Sequence, residues 1–385
     1  MNLRKLASTK ETFNGLINDS IDKENALHAS LVRENSQNGY VYPALGSPIK
    51  SRDSQPLKDH LYNVGTSFNW CDNGSTFITV SEDHGIRTYI TSQTLIDDDN
   101  SQLIPYLRIF KSTPIISSAL YPDSSLYSGS CSMLISQKDV PLRLQSLIPN
   151  EDNEYPIIQS YQIQDRQTEI FQKVNSMSFL DGARFITGSN KFISSFDTQR
   201  SEAIASIPSK SGIVSALTNA KSEFANDGFY SGSFSGKLTF YSNDLEPIEQ
   251  TKVQNGNGIT QIIESSNGKY LYVISRNSSH VEVLDIRMGL KQVAKLTGLV
   301  TLNQRITGDL LPQSQGLIIG SNDGKLLVYK DAELGMDCEP EFVTLNDCIP
   351  ISSVVVNPSE SQVLGLIKGD RSDEYQQVSL QKLTF

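Results

Sequence analysis

From Asn63 onward, short apolar runs alternate with polar turns in a pattern that keeps returning. Each unit has one grammar. An apolar strand leads to a turn of Asp, Asn, Ser, Pro or Gly; a second strand follows, then a small polar turn, then a third strand. In the first unit Thr66-Ser67-Phe68-Asn69-Trp70 runs through Asp72-Asn73-Gly74-Ser75 into Thr76-Phe77-Ile78-Thr79-Val80, and Ser81-Glu82-Asp83-His84-Gly85 turns into Ile86-Arg87-Thr88-Tyr89-Ile90. Further units open at Ile115, Val174, Ile213, Ile259, Arg305 and Ile351. Seven such units, at a spacing typical of WD-repeat blades, predict an all-β fold, a seven-bladed WD40-type β-propeller.

Weaker apolar stretches lie between the units: Tyr106 to Phe110, Ile157 to Ile163, Ala203 to Ile207 and Val293 to Leu296. They read as the fourth, outermost strand of a blade, half exposed and therefore less apolar. A closed ring must pair its first and last blades, because an open array leaves bare strand edges. Only three strands follow Cys348, so the missing edge strand is expected from before Asn63, at Tyr40 to Ala44 or Leu57 to Val64. The propeller is thus placed at 59–385, behind a largely disordered polar arm at 1–58 that supplies the closing strand. Within that arm Leu16, Ile17, Ile21, Leu27 and Leu31 outline a thin helical stripe, interrupted by Gly15 and Asp19. Glu34 to Lys58, rich in Ser, Asn, Gln, Pro and Gly, reads as loop or disorder.

Composition narrows the functional classes. Among 385 residues, 38% are hydrophobic and the formal net charge is −10. A chain this acidic does not condense as a whole on nucleic acid or an anionic membrane. Contact with RNA would need a local basic patch or a protein intermediary. The opening Met1-Asn2-Leu3-Arg4-Lys5-Leu6 has no apolar core behind it, so no secretory leader is expected, and no run approaches a membrane span. Cys71, Cys131, Cys338 and Cys348 lack C-x-x-C spacing, which fits idle thiols in a reducing compartment.

Chemistry-bearing motifs are scarce. The four histidines lack metal-ligand spacing, Gly232-Ser233-Phe234-Ser235-Gly236 lacks a P-loop lysine, and no G-x-S-x-G elbow occurs. Catalytic, metal and cofactor-binding residues are therefore expected to be none, and an enzyme is not expected. Asp83, Asp139 and Asp323 recur before the third strand of a unit and read as structural braces of tight turns. Trp70 is the sole tryptophan; Tyr, Phe or Leu occupies the place usually held by Trp-Asp and still packs between blades. Arg287, Arg305 and Lys325, with Lys291, Lys295 and Lys330 nearby, lie close enough in neighbouring units to converge on one face as candidate RNA or partner contacts. Scattered surface charge is the simpler reading of the same residues, given the acidic total.

Four runs carry a resemblance. Ser81-Glu82-Asp83-His84-Gly85-Ile86-Arg87-Thr88-Tyr89 resembles the Ser-x-Asp-x-x-x-Arg-x-Tyr run of the telomerase Cajal body protein family. Asp285-Ile286-Arg287 and Thr301-Leu302-Asn303-Gln304-Arg305-Ile306 are similar to its Asp-Leu-Arg and Thr-Asn-Gln-Arg-Ile runs, and Gly320 to Gly324 to its next turn. The chain looks closest to a divergent yeast branch of that family, nuclear WD-repeat proteins associated with pre-mRNA splicing. That resemblance implies a non-catalytic nuclear role beside small nuclear ribonucleoproteins, U1 foremost, and other splicing proteins, with no membrane or small-molecule substrate. A chaperone of telomerase or guide RNAs, or a generic protein scaffold, is the alternative it leaves open.

Overall fold

The computed structural model describes residues 2–13, 16–35, 42–49, 63–91, 101–163, 171–223, 227–253, 257–312, 316–345, 349–369 and 377–384. Seven antiparallel sheets follow one another in chain order. In the first, Gly65–Trp70, Thr76–Ser81, Gly85–Ile90 and Leu107–Phe110 run from the inside of the ring outward. Blades two to six repeat that order, beginning at Ile115, Val174, Val214, Ile259 and Gly308. Their first strands pack side by side around a central channel. The result is a seven-bladed β-propeller.

Strand composition follows radius. Thr76–Ser81, Ser132–Gln137 and Val363–Lys368, all second strands, are buried at every position. The outermost Ala203–Pro208 alternates between exposed and half-buried positions, and Pro247–Lys252 is mostly exposed. A strand covered on both faces needs continuous apolar or small residues, whereas an edge strand needs only one apolar face. The sequence signal therefore fades outward, and Pro247–Lys252 and Glu341–Thr344 carry almost none.

Missing Trp-Asp pairs are replaced in kind. Phe77 lies opposite Tyr89, Phe185 opposite Phe196 and Phe229 opposite Tyr241 across the second and third strands. Each pair is stacked, with ring centroids 4.8, 5.1 and 5.3 Å apart. Where rings are absent, as at Leu271 and Leu284, aliphatic side chains fill the same layer.

Ring closure differs from expectation. The fourth strand of blade seven is Asn2–Ser8, antiparallel to Gln377–Thr384 in a register running from Asn2 opposite Thr384 to Ser8 opposite Ser379. Tyr40, Val41 and residues 57–62 lie outside the described residues, and Tyr42 to Ala44 and Asn63 to Val64 form no strand. Leu6 and Ala7 are fully buried against Phe77, Tyr89, Val378 and Leu380. Three apolar residues in seven gave no visible period, yet two suffice to seal one edge. Ser101–Gln102 adds a short parallel strand outside Ala7–Ser8.

The arm is also more ordered than its composition suggests. Lys10–Phe13 and Ile17–Asn35 are helical, and Ile17 and Ile21 pack on Phe110 of blade one. Glu24, completely buried, accepts hydrogen bonds from Arg87 Nε and Arg108 Nη1, both at 2.7 Å. Arg87 reaches on to Asp83, and Asn63 donates to Asp83 Oδ2 at 2.9 Å. One buried network thus ties the helix to blade one beside the seam.

At that seam Gly365 faces Phe68. A Cβ on Gly365 would stand 2.2 Å from the Phe68 ring. Gly365→Ala is expected to lower stability by about 1–3 kcal/mol through overpacking between blades seven and one. Urea unfolding of the variant checks it.

Candidate functional site at one mouth of the channel

Antiparallel blades sort their connections by end. Links between first and second strands, and between third and fourth, lie on one face, here called lower. Links between second and third strands, and from one blade to the next, lie on the upper face. Among the described residues of these connections, leaving aside the N-terminal segment before Gly65, the lower face carries sixteen acidic side chains against five basic. Asp72, Asp123, Asp181, Asp244 and Glu246 are typical, following first or third strands. The upper face carries four acidic against seven basic, including Lys111, Lys138, Lys191, Lys210, Arg276 and Arg305. Of those four acids, Asp83 is buried against Arg87, while Asp139 and Asp323 pair with Lys138 and Lys325. Among these described residues, the acidic side chains are therefore concentrated at one end of the ring.

The predicted turn residues keep different company. Asp83 Oδ1 accepts the Gly85 N–H at 2.9 Å, the expected brace, and also binds Arg87. Burial alone would raise the Asp83 pKa; the Arg87 charge and hydrogen bonds, the Gly85 N–H and Arg108 outweigh it and hold it below the usual value. Asp139 sits in a left-handed turn at φ 60°. Asp323 accepts from Lys325 Nζ at 2.6 Å.

Of the three predicted contact residues, Arg287 lies in the lower-face link after His280–Asp285, while Arg305 and Lys325 belong to the upper side. The three do not meet. Arg287 is engaged by Asp285 at 2.5 Å and lies over the Tyr270 ring at 5.6 Å. Lys325 pairs with Asp323 and lies 5.3 Å from the Phe342 ring. Arg305 alone points into the channel, and among the described residues its guanidinium has no hydrogen-bond partner.

The loop bearing Arg305 is pinned rather than loose. Thr301 Oγ1 donates to Ser275 O at 2.9 Å and accepts from Ser278 N at 2.7 Å. Asn277 Nδ2 donates to Asn303 Oδ1 at 3.1 Å, Arg276 Nη1 donates to Asn303 O, and Ile306 is buried beneath. Arg305 is thereby held in the wall of a cavity of about 760 Å³, the upper half of the channel. Ser67, Asn69, Ser118, Gln261 and Ser353 face the same space. Enclosure by the wall and the nearby Arg276 charge both lower the Arg305 pKa, while the side chain stays open to the lumen. Sequence reasoning missed Arg276, which lies 4.6 Å over the Phe234 ring. No motif marks it; only the closed ring brings it beside Arg305.

Deeper in the channel Asp309 accepts from Val356 N at 2.9 Å and Leu310 N at 2.8 Å, bridging blades six and seven. Burial raises its pKa to about 6, against the opposing pull of those N–H groups and Lys221. A carboxyl raised in the folded state stabilises the fold in its protonated form, so its contribution falls away as pH climbs from about 4 to about 6. Asp309→Asn is expected to remove that component, seen as a flatter stability profile between those pH values in urea titrations.

No group of three His, Cys, Asp or Glu among the described residues is arranged to hold a metal ion. Cys71 and Cys131 are buried free thiols, Cys338 is half-buried, and Cys348 lies outside the described residues. No helix among the described residues is long and apolar enough to cross a membrane.

A closed seven-bladed ring around a polar channel defines a β-propeller scaffold. No protein-family model matches the chain. It is 30% identical over 345 residues to Protein SWT21 of Eremothecium gossypii, covering 84% of this chain and 81% of that protein. Protein SWT21 of Vanderwaltozyma polyspora is 27% identical over 344 residues, with 84% and 80% covered. Protein SWT21 of Zygosaccharomyces rouxii is 30% identical over 273 residues, with 68% and 64% covered. The chain belongs to the yeast Protein SWT21 family.

Proposed function

We propose that this protein is a nuclear, non-catalytic propeller that assists pre-mRNA splicing by associating with small nuclear ribonucleoproteins and supporting U1 at the 5′ splice site. The uneven placing of acids between the two faces carries this reading. Ribonucleoproteins are polyanions, and an upper face whose links, among the described residues, are far less acidic than those of the lower face orients the protein toward them despite the net charge of −10. The Thr301 to Ile306 run, which carries part of the resemblance to the telomerase Cajal body protein family, contributes Asn303, Gln304 and Arg305 to the wall of that same mouth. Other splicing proteins are partners in this reading, and contact with RNA runs directly or through them.

A non-catalytic role suits the site's chemistry. General acid–base or nucleophilic catalysis needs convergent groups within hydrogen-bond reach of a reacting atom. The Asp309 carboxylate of the channel is engaged by backbone N–H groups on both oxygens. Arg, Asn, Gln and Ser side chains around it recognise; they do not form a nucleophile–base pair.

Tagged protein recovered from nuclear extract, followed by sequencing of bound RNA, is the test. Enrichment of spliceosomal small nuclear RNAs, U1 most, supports the reading. Telomerase or guide RNAs in their place would make the protein an RNA chaperone, and partners insensitive to nuclease with no RNA would make it a plain scaffold.

A further inference from the structure

We infer that the upper mouth of the channel grips an acidic side chain, Glu or Asp, projected by an extended peptide of a protein partner, with Arg305 as the seat of the carboxylate. This rests on the reading of the upper face as the working face and names what it takes.

Hydrogen-bond supply at the mouth is lopsided. Arg305 presents its guanidinium to the cavity with no partner among the described residues, and Arg276, 4.6 Å over the Phe234 ring, leaves its buried Nε unpaired. Deeper in the same cavity, near the lower end of the first strand of blade one, Asn69 has a buried Nδ2 with no partner among the described residues. The two carboxylates of the same wall, Glu82 and Asp309, have interactions of their own, so the unpaired groups named here are donors, and two are cations that repel each other. A ligand that complements them must bring acceptors and negative charge, which a carboxylate does in a bidentate geometry matched to guanidinium.

The surroundings favour a peptide over RNA. Aliphatic side chains stand exposed in the upper-face links: Ile213 at 38%, Val300 at 41% and Leu302 at 50%. Leu302 is tied to the Arg276 turn through the Asn277 N–H, and Ile213 to Phe234 through the Phe234 N–H. Such a rim suits the apolar side chains of a peptide. Single-stranded RNA asks instead for open aromatic platforms on which bases stack. Among the described residues, Phe234 beside the Arg276 turn already carries that guanidinium on its face, and Phe68 in the cavity wall is buried. Arg305 is recessed in the channel wall, within reach of a slender side chain that enters the lumen.

The test uses the full chain and fluorescence polarisation. The probe is a fluorescein-labelled ten-residue peptide holding three glutamates spaced by leucine and serine; its glutamine counterpart and decauridylate serve as controls. Glutamine in the peptide, or Arg305→Gln in the protein, is expected to weaken binding about tenfold or more, as loss of a charged hydrogen-bonded pair does. Arg287→Gln, on the opposite face, should bind like the parent, and equal melting temperatures would show that both variants fold. Unchanged binding by Arg305→Gln, absence of binding to the glutamate peptide, or displacement of that peptide by decauridylate would each overturn the inference. Should the peptide fail while small nuclear RNAs are still recovered from extract, only this inference falls. If the peptide binds and those RNAs are absent, the splicing role falls and the acidic-peptide site stands.

Discussion

Replacing Glu24 with glutamine should destabilise the protein by about 3–5 kcal/mol, the usual effect of removing one partner from a buried ionic network. Glu24 is completely buried and bridges two completely buried guanidinium groups, Arg87 and Arg108. With its charge gone, Asp83 is the carboxylate that remains beside these two buried cations among the described residues. Arg108 keeps Asn25 Oδ1 at 2.6 Å and Gly46 O at 3.1 Å, both neutral. The urea midpoint should drop sharply, and protease cleavage should begin in Ile17–Asn35, since the helix is held to blade one chiefly at this point. A pH dependence belongs to the same network. Because the Asp83 pKa is held below the ordinary aspartate value, the stability it contributes is present at neutral pH and is lost only as the solution becomes more acidic than about pH 4. The trend is opposite to that of Asp309, whose contribution weakens as pH rises.

Deleting residues 2–8 should have the larger effect. It strips the outer strand from blade seven, exposes the edge of Gln377–Thr384 and uncovers Val378 and Leu380. An unpaired, apolar strand edge is a template for aggregation. Truncated protein is expected in the insoluble fraction, with no cooperative melting transition in whatever stays soluble. Leu6→Ala is the measurable counterpart. The side chain is fully buried, and a cavity there should lower stability by about 2–5 kcal/mol in urea titrations. A shortened chain that melts like the parent would mean that the ring closes without this strand.

The blades were legible because first, second and third strands are buried enough to write their period into the sequence. Phe77, Phe185 and Phe229 fall where the repeat places them, and the rings opposite keep the layer filled without Trp-Asp. The closing strand was not legible: Asn2–Ser8 has only Leu3, Leu6 and Ala7 as apolar positions, and its partner lies at the far end of the chain. The helix stripe was visible at Ile17 and Ile21, but Glu24, a charged residue beside it, gave no sign of being buried. Its partners Arg87 and Arg108 are separated from it by more than sixty positions. The net charge misled for a related reason. A single sum cannot see that, among the described residues, most of the acidic link residues follow the first and third strands. Of the candidate contacts, only Arg305 proved to face the channel, and its neighbour Arg276 became visible only in three dimensions.

Pairing Asn2–Ser8 with Gln377–Thr384 has a consequence for biosynthesis. Asn2–Ser8 is synthesised before every other strand of the described ring and Gln377–Thr384 after all of them. Until both exist, Asn2–Ser8 waits as an orphaned segment and blade seven has no outer edge. A ribosome stalled between them would leave a sticky, unclosed intermediate.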